Sequence, residues 1–175
     1  MKFPPSKSKL SLTVVAALLS GLLAGSTAAL ADEMKWRNVS HVNETHAFVL
    51  AETGGHTVGT GKGSGLGFFS DGQIATVVLG FTIDYLKSEG SFLAYETYTF
   101  ADKSSLTLKR NGQTRLTKDT NGAEFVGDFQ VIGGSGRYVG AQGKGTFNGR
   151  RMAPLSSGAD QYFDFVADIS LPARQ

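Results

Sequence analysis

Residues 131–149 read VIGGSGRYVGAQGKGTFNG, and the reading of this stretch decides the fold. Gly134 and Gly136 have the spacing that opens a dinucleotide-binding fingerprint. That fingerprint needs a third glycine where the chain has Val139, and it leads into a long helix. Here the chain runs instead into another strand-length segment, Gly143–Asn148. The glycines are therefore read as a tight passage between two strands. A second glycine-rich run, Gly59 to Gly65, fails as a phosphate loop for similar reasons: His56 stands where the first glycine belongs, Gly63 follows Lys62, and no helix follows. It reads as a twisted or bulged strand.

Working outward, the same punctuation recurs. Asp71-Gly72, Asn111-Gly112, Asn121-Gly122 and Asn148-Gly149 are dipeptides that readily supply the positive φ angles of hairpin turns. They predict about eight strands within Met34–Val42, His46–Glu52, Gly65–Ser70, Gln73–Lys87, Ser91–Phe100, Ser104–Arg110, Ala123–Ile132, Gly143–Asn148 and Gln161–Leu171. One of the first three segments is expected to be short, bent or continuous with a neighbour. Side chains at i and i+2 share a strand face. Ala75, Val77, Leu79, Phe81, Ile83 and Tyr85 form one apolar stripe, Phe125, Phe129 and Val131 a second, and Phe163, Phe165, Ala167, Ile169 and Leu171 a third. An antiparallel meander of short strands hides its edges by closing into a barrel. The stripes are expected to fill that barrel with the acids facing water. The alternative is a mixed interior with the stripes against neighbouring subunits.

The stretch 131–149 resembles the signature of the allene oxide cyclase and dirigent-like barrel superfamily, through Gly133, Gly134, Ser135, Gly136, Tyr138, Gly140, Ala141 and Gly143. Residues 95–102, YETYTFAD, resemble the aromatic strand and turn that often precede it. The resemblance implies an all-β fold, an eight-stranded antiparallel barrel, commonly a trimer, with Tyr138 plugging one end from a single helical turn. In the cyclases such a barrel holds a fatty-acid-derived epoxide, and in dirigent proteins it steers coupling of phenoxyl radicals. The glycine motif is structural and transfers no catalytic residue.

Residues 1–31 read as a secretory signal peptide, leaving one domain over 32–175. Three lysines occupy the first nine positions, Leu10–Ala24 is almost wholly apolar, and Ala29-Leu30-Ala31 fits the small-residue cleavage rule. The apolar run is shorter than the roughly 20 residues a spanning helix needs, so no membrane span is expected after cleavage. Export, to the periplasm or beyond, is the expectation. The chain carries 17 Lys and Arg against 15 Asp and Glu. Loss of Lys2, Lys7 and Lys9 leaves 14 against 15, a net charge of −1, without the basic footprint of a nucleic-acid binder. The absence of Cys excludes disulfides, thiolate metal sites and a cysteine nucleophile.

The remaining chemistry is sparse. His41, His46 and His56 have neither strand-face nor helical ligand spacing, so no metal and no cofactor is expected. Neither Gly63-Ser64-Gly65 nor Gly134-Ser135-Gly136 is a nucleophile elbow. Carboxylates are the better candidates: Asp84, Glu96, Asp128 and Asp164, with Asp168 about 13 Å along the strand from Asp164. A carboxylate inside an apolar barrel has its pKa raised and can serve as general acid or base. Tyr95, Tyr98 and Tyr162 are candidate ligand hydrogen-bond groups. Lys109, Arg110, Arg115 and Lys118 read as a solvated hairpin tip around Asn111-Gly112. Asn38-Val39-Ser40 and Asn43-Glu44-Thr45 fit the glycosylation pattern, which is common by chance. Residues 150–158 read as the longest loop, either a lid on a barrel mouth or a connection.

These readings lead to an exported barrel that binds a small hydrophobic or aromatic molecule in its cavity. One alternative is a cofactor-free cyclase or isomerase of the allene oxide cyclase or dirigent type. Another is an envelope protein whose filled barrel works through its surface.

Overall fold

A computed structural model describes residues 32–51, 54–118, 122–155, 158 and 160–172; of Asp32 it describes the backbone alone. The expected leader, 1–31, lies outside the described residues. Eight strands follow in order: β1 (Asp32–Val49), β2 (His56–Phe69), β3 (Ile74–Leu86), β4 (Glu89–Phe100), β5 (Ser105–Leu116), β6 (Ala123–Ser135), β7 (Gln142–Arg151) and β8 (Asp160–Ser170). Each pairs antiparallel with its chain neighbour, and β1 pairs with β8, so the sheet closes without an open edge. The fold is all-β, an eight-stranded antiparallel barrel. Among the described residues no helix is long and apolar enough to cross a membrane.

The three apolar stripes point inward. Ala75, Val77, Leu79, Ile83 and Tyr85 of β3, Phe125 and Phe129 of β6, and Phe163, Phe165, Ala167 and Ile169 of β8 are buried. Leu171 lies beyond β8 and is exposed. Trp36 anchors the interior: it stacks on Phe165 at 4.7 Å and on Phe69 at 5.4 Å, its register partners on the two flanking strands. Such cross-strand aromatic pairs hold the register as well as the core.

The first two expected segments are one strand, bent where the register shifts between Val42 and Glu44. The extra residue, Asn43, changes the phase of β1. Trp36, Asn38, Ser40 and Val42 face inward before it. Thr45 and Ala47 turn toward the barrel mouth after it. Asn38, the asparagine of the first glycosylation match, is wholly buried.

Two of the expected turns are not turns. Asn111-Gly112 lies within β5 and Asn148-Gly149 within β7. Gly112 is where aromatic rings press on the strand: a Cβ there would come within 2.6 Å of the Phe92 ring and 2.9 Å of Phe147. At Gly149 the Phe163 ring lies 2.5 Å from the same imagined atom. Glycine at these two positions answers to close packing. Asp71-Gly72 is a true turn, with Gly72 at φ +85°. Of Asn121-Gly122, Asn121 lies outside the described residues. With Asn111-Gly112 inside β5, the expected hairpin tip dissolves. Arg110 points into the barrel and is 2% exposed, whereas Arg115 and Lys118 face water.

One end of the barrel is closed as the resemblance implies. Gly136–Tyr138 forms a single 3-10 turn, with Gly136 at φ +58°. It delivers Tyr138 onto Phe100 with ring centroids 5.0 Å apart. Arg137 lies over both rings, at 4.4 Å and 4.9 Å. At the other end the described residues enclose a cavity.

Candidate functional site

Between the described residues this cavity measures about 410 Å³, near the small end of the size range of ligand pockets. Strand ends far apart in sequence wall it: Thr45 and Ala47 of β1, Thr57 and Thr60 of β2, Ile83 and Tyr85 of β3, and Leu116 of β5. Arg151, at the end of β7, and Leu155 beyond it complete the wall. Ile83, Tyr85, Arg151 and Leu155 also line a second, inner cavity of about 30 Å³, so the mouth narrows toward the core. The inner space is on the scale of water molecules. Arg110, Phe92 and Phe163 form part of its lining.

Below Arg110 the interior is packed around a polar cluster. Glu96 of β4 accepts a 2.8 Å hydrogen bond from Arg110 Nη1 on β5. It also accepts one from the Asn38 amide, which reaches across from β1. The Arg110 guanidinium sits over Phe163 at 4.1 Å and Phe147 at 4.8 Å. The Tyr98 hydroxyl and Trp36 indole N–H are buried near the carboxylate without completing a well-formed hydrogen bond. Burial pushes the Glu96 carboxyl above its ordinary range, and the Arg110 charge offsets this in part. Tyr98 is driven well up by burial and then by the Glu96 charge. Glu96 lines neither cavity.

The other site candidates lie apart. Asp84 is on the outer surface, 2.5 Å from His56. Asp164 forms a two-pronged pair with Arg37, at 2.6 and 2.7 Å, and that guanidinium lies over Tyr162 at 4.9 Å. Asp128, Asp168 and Tyr95 face outward. Of the four carboxylates and three tyrosines, only Glu96 and Tyr98 come together inside. His41, His46 and His56 each meet a carboxylate on the surface, and no group of three potential metal ligands forms among the described residues.

Arg151 and Thr114 did not stand out in the sequence, and Tyr85 was read there only as part of an apolar stripe. Tyr85 bonds the Thr114 hydroxyl at 2.6 Å, and burial raises its phenol pKa. Arg151 is 5% exposed; its Nε donates to the Ala153 carbonyl at 2.9 Å, and its guanidinium lies near the Tyr85 hydroxyl. Burial lowers its pKa, and no described carboxylate pairs with it. Among the described residues lining the two cavities none is acidic and two are arginines. Phase was the available signal: Phe147, Gly149 and Arg151 share one strand face, as do Leu106, Leu108 and Arg110.

The closed antiparallel order, with a Gly133–Tyr138 passage capping one end, is the barrel that the sequence resemblance implies. In form it is a closed eight-stranded antiparallel barrel. The chain is similar to the solved structure of the pterocarpan synthase dirigent protein GePTS1, at 13% identity and a TM-score of 0.48, covering 94% of this chain and 98% of that one. It is similar also to the pterocarpan synthase dirigent protein PsPTS1, at 14% identity and a TM-score of 0.45, covering 81% and 97%. No protein-family model matches the chain, and no curated protein matches it.

Proposed function

We propose that this chain is a binding barrel that takes a small hydrophobic or aromatic molecule into the cavity at its mouth. The observation that carries the reading is the cavity of about 410 Å³ at one end of an otherwise packed barrel. Its lining combines apolar side chains with a few convergent polar groups, the usual make-up of a small-molecule site. Ile83, Leu116 and Leu155 supply apolar wall, while the threonines, Tyr85 and Arg151 supply hydrogen-bond partners. Export, inferred from residues 1–31, and assembly as a homotrimer belong to the same proposal.

The cyclase or isomerase alternative draws on Glu96 as its acid or base, and that carboxylate sits beyond both cavities. Dirigent-like steering of a reactive intermediate uses the same mouth and adds a step after binding. A wholly filled barrel acting through its surface fits the lower half of the interior and not the upper half. Native mass spectrometry on protein purified gently from its exporting host tests the reading. The expected spectrum carries an added small mass released by collisional activation. A spectrum of bare protein, together with no uptake of either cinnamyl alcohol or cinnamate, overturns it.

A further inference from the structure

The cavity lining holds two guanidinium groups and no described acid. The Arg110 charge is matched by Glu96 at 2.8 Å. The Arg151 charge meets no described carboxylate, although the side chain is 5% exposed. A buried cation without an anion is costly, and proteins ordinarily pair or hydrate such a charge. One role of Arg151 is local, since its Nε holds the Ala153 carbonyl where the chain leaves β7. That bond occupies one donor and leaves the charge without a counter-charge among the described residues. The guanidinium also lies over Phe125 at 5.7 Å, and ring contact of this kind does not neutralise it.

We propose that the mouth cavity selects an anionic head group: its ligand is a small molecule with an apolar or aromatic body and one carboxylate, seated on Arg151. The inference rests on the binding-barrel reading and names the ligand class for that site. Planar guanidinium matches a two-oxygen anion through paired N–H donors. With Nε engaged by Ala153, the terminal nitrogens supply that edge. The Tyr85 phenol, neutral at the pH of the test, lies beside it, and where the Thr114 hydroxyl donates to its oxygen its own proton is a second donor for the ligand. Ala47, Ile83, Leu116 and Leu155 surround the space where the ligand body lies.

The test uses three probes of nearly one shape: cinnamate, cinnamamide and cinnamyl alcohol, titrated into the whole protein by calorimetry at neutral pH. Cinnamate is expected to bind at least about tenfold more tightly than the two neutral probes, as a charge-assisted contact in a desolvated site requires. The preference is expected to vanish in Arg151→Gln and to survive in part in Arg151→Lys. The comparison among probes needs no variant, so it stands even if Arg151→Gln folds poorly. Equal binding of all three overturns the carboxylate inference and leaves the binding barrel intact. Failure of all three to bind overturns both.

Discussion

Glu96 on β4 and Arg110 on β5 meet at 2.8 Å inside the barrel, at 0% and 2% side-chain exposure, and Asn38 from the opposite wall holds the same carboxylate. A charge pair this deep is stable as a unit and costly in halves. Arg110→Met leaves Glu96 buried without its cation, and we expect a loss of about 3–5 kcal/mol; Glu96→Gln is the other single change. The double variant Glu96→Gln, Arg110→Met is expected to lose clearly less than the two single losses combined. Urea unfolding of the three variants measures the coupling.

The same pair sets a pH dependence. The folded-state pKa of Glu96 is raised above its ordinary 4.5 because burial penalises the charged form. In the window from that value up to the folded pKa, the native state holds a proton that the unfolded chain has released. Stability from this group is full below the window and falls as pH rises through it. Asp102, held below its ordinary range by the Ser104 hydroxyl and amide, acts the other way: its contribution is lost as pH falls through its lowered pKa. Urea midpoints taken from about pH 4.5 to 7 are expected to decline in the parent and to flatten in Glu96→Gln.

Gly112 tests packing against turn chemistry. Gly112→Ala places a methyl against the Phe92 and Phe147 rings, and overpacking of this kind costs about 1–3 kcal/mol. Gly72→Ala meets no atom within 4 Å and suffers only its positive φ, a cost of about 1–2 kcal/mol. Phe92→Leu in the Gly112→Ala background is expected to recover stability, whereas no ring substitution rescues Gly72→Ala. Thermal melts of the four proteins decide the matter. If Phe92→Leu worsens Gly112→Ala, glycine is at 112 for another reason.

Tyr138 closes the far end. Tyr138→Ala removes the ring that packs at a tilt against Phe100 and is expected to cost about 3–5 kcal/mol, as for other large aromatic truncations. Tyr138→Phe keeps the ring and is expected to stay within about 1 kcal/mol of the parent. The difference between the two in denaturant midpoint measures the plug.

Alternation carried most of the fold. The stripe from Ala75 to Tyr85 has the strand period and little else, so β3 and its inward face were legible directly. The glycine dipeptides were less dependable, because a turn and a ring lying on the backbone both call for a residue without Cβ. Asp71-Gly72 is the first case and Asn111-Gly112 the second. Arg110 was hidden by its neighbours: Lys109, Arg115 and Lys118 suggest a wet surface, while the phase of Leu106 and Leu108 carries Arg110 inward. Glu96 was visible as a carboxylate in an aromatic run, but not its bond to Asn38, 58 residues away. The mouth had no local signature, since Thr45, Ile83, Leu116 and Arg151 come together only when the barrel closes.

The central claim is that the cavity at one end of the barrel is a ligand site. The direct measurement is a two-dimensional amide and methyl NMR titration of the protein with cinnamyl alcohol, which carries no charge and so probes the cavity alone. The account predicts saturable shifts at Thr45, Ala47, Ile83, Leu116 and Leu155, with the outer-face residues Val78 and Val126 unmoved. Shifts confined to the outer face, or none at the mouth with either cinnamyl alcohol or cinnamate up to the solubility limit, contradict it.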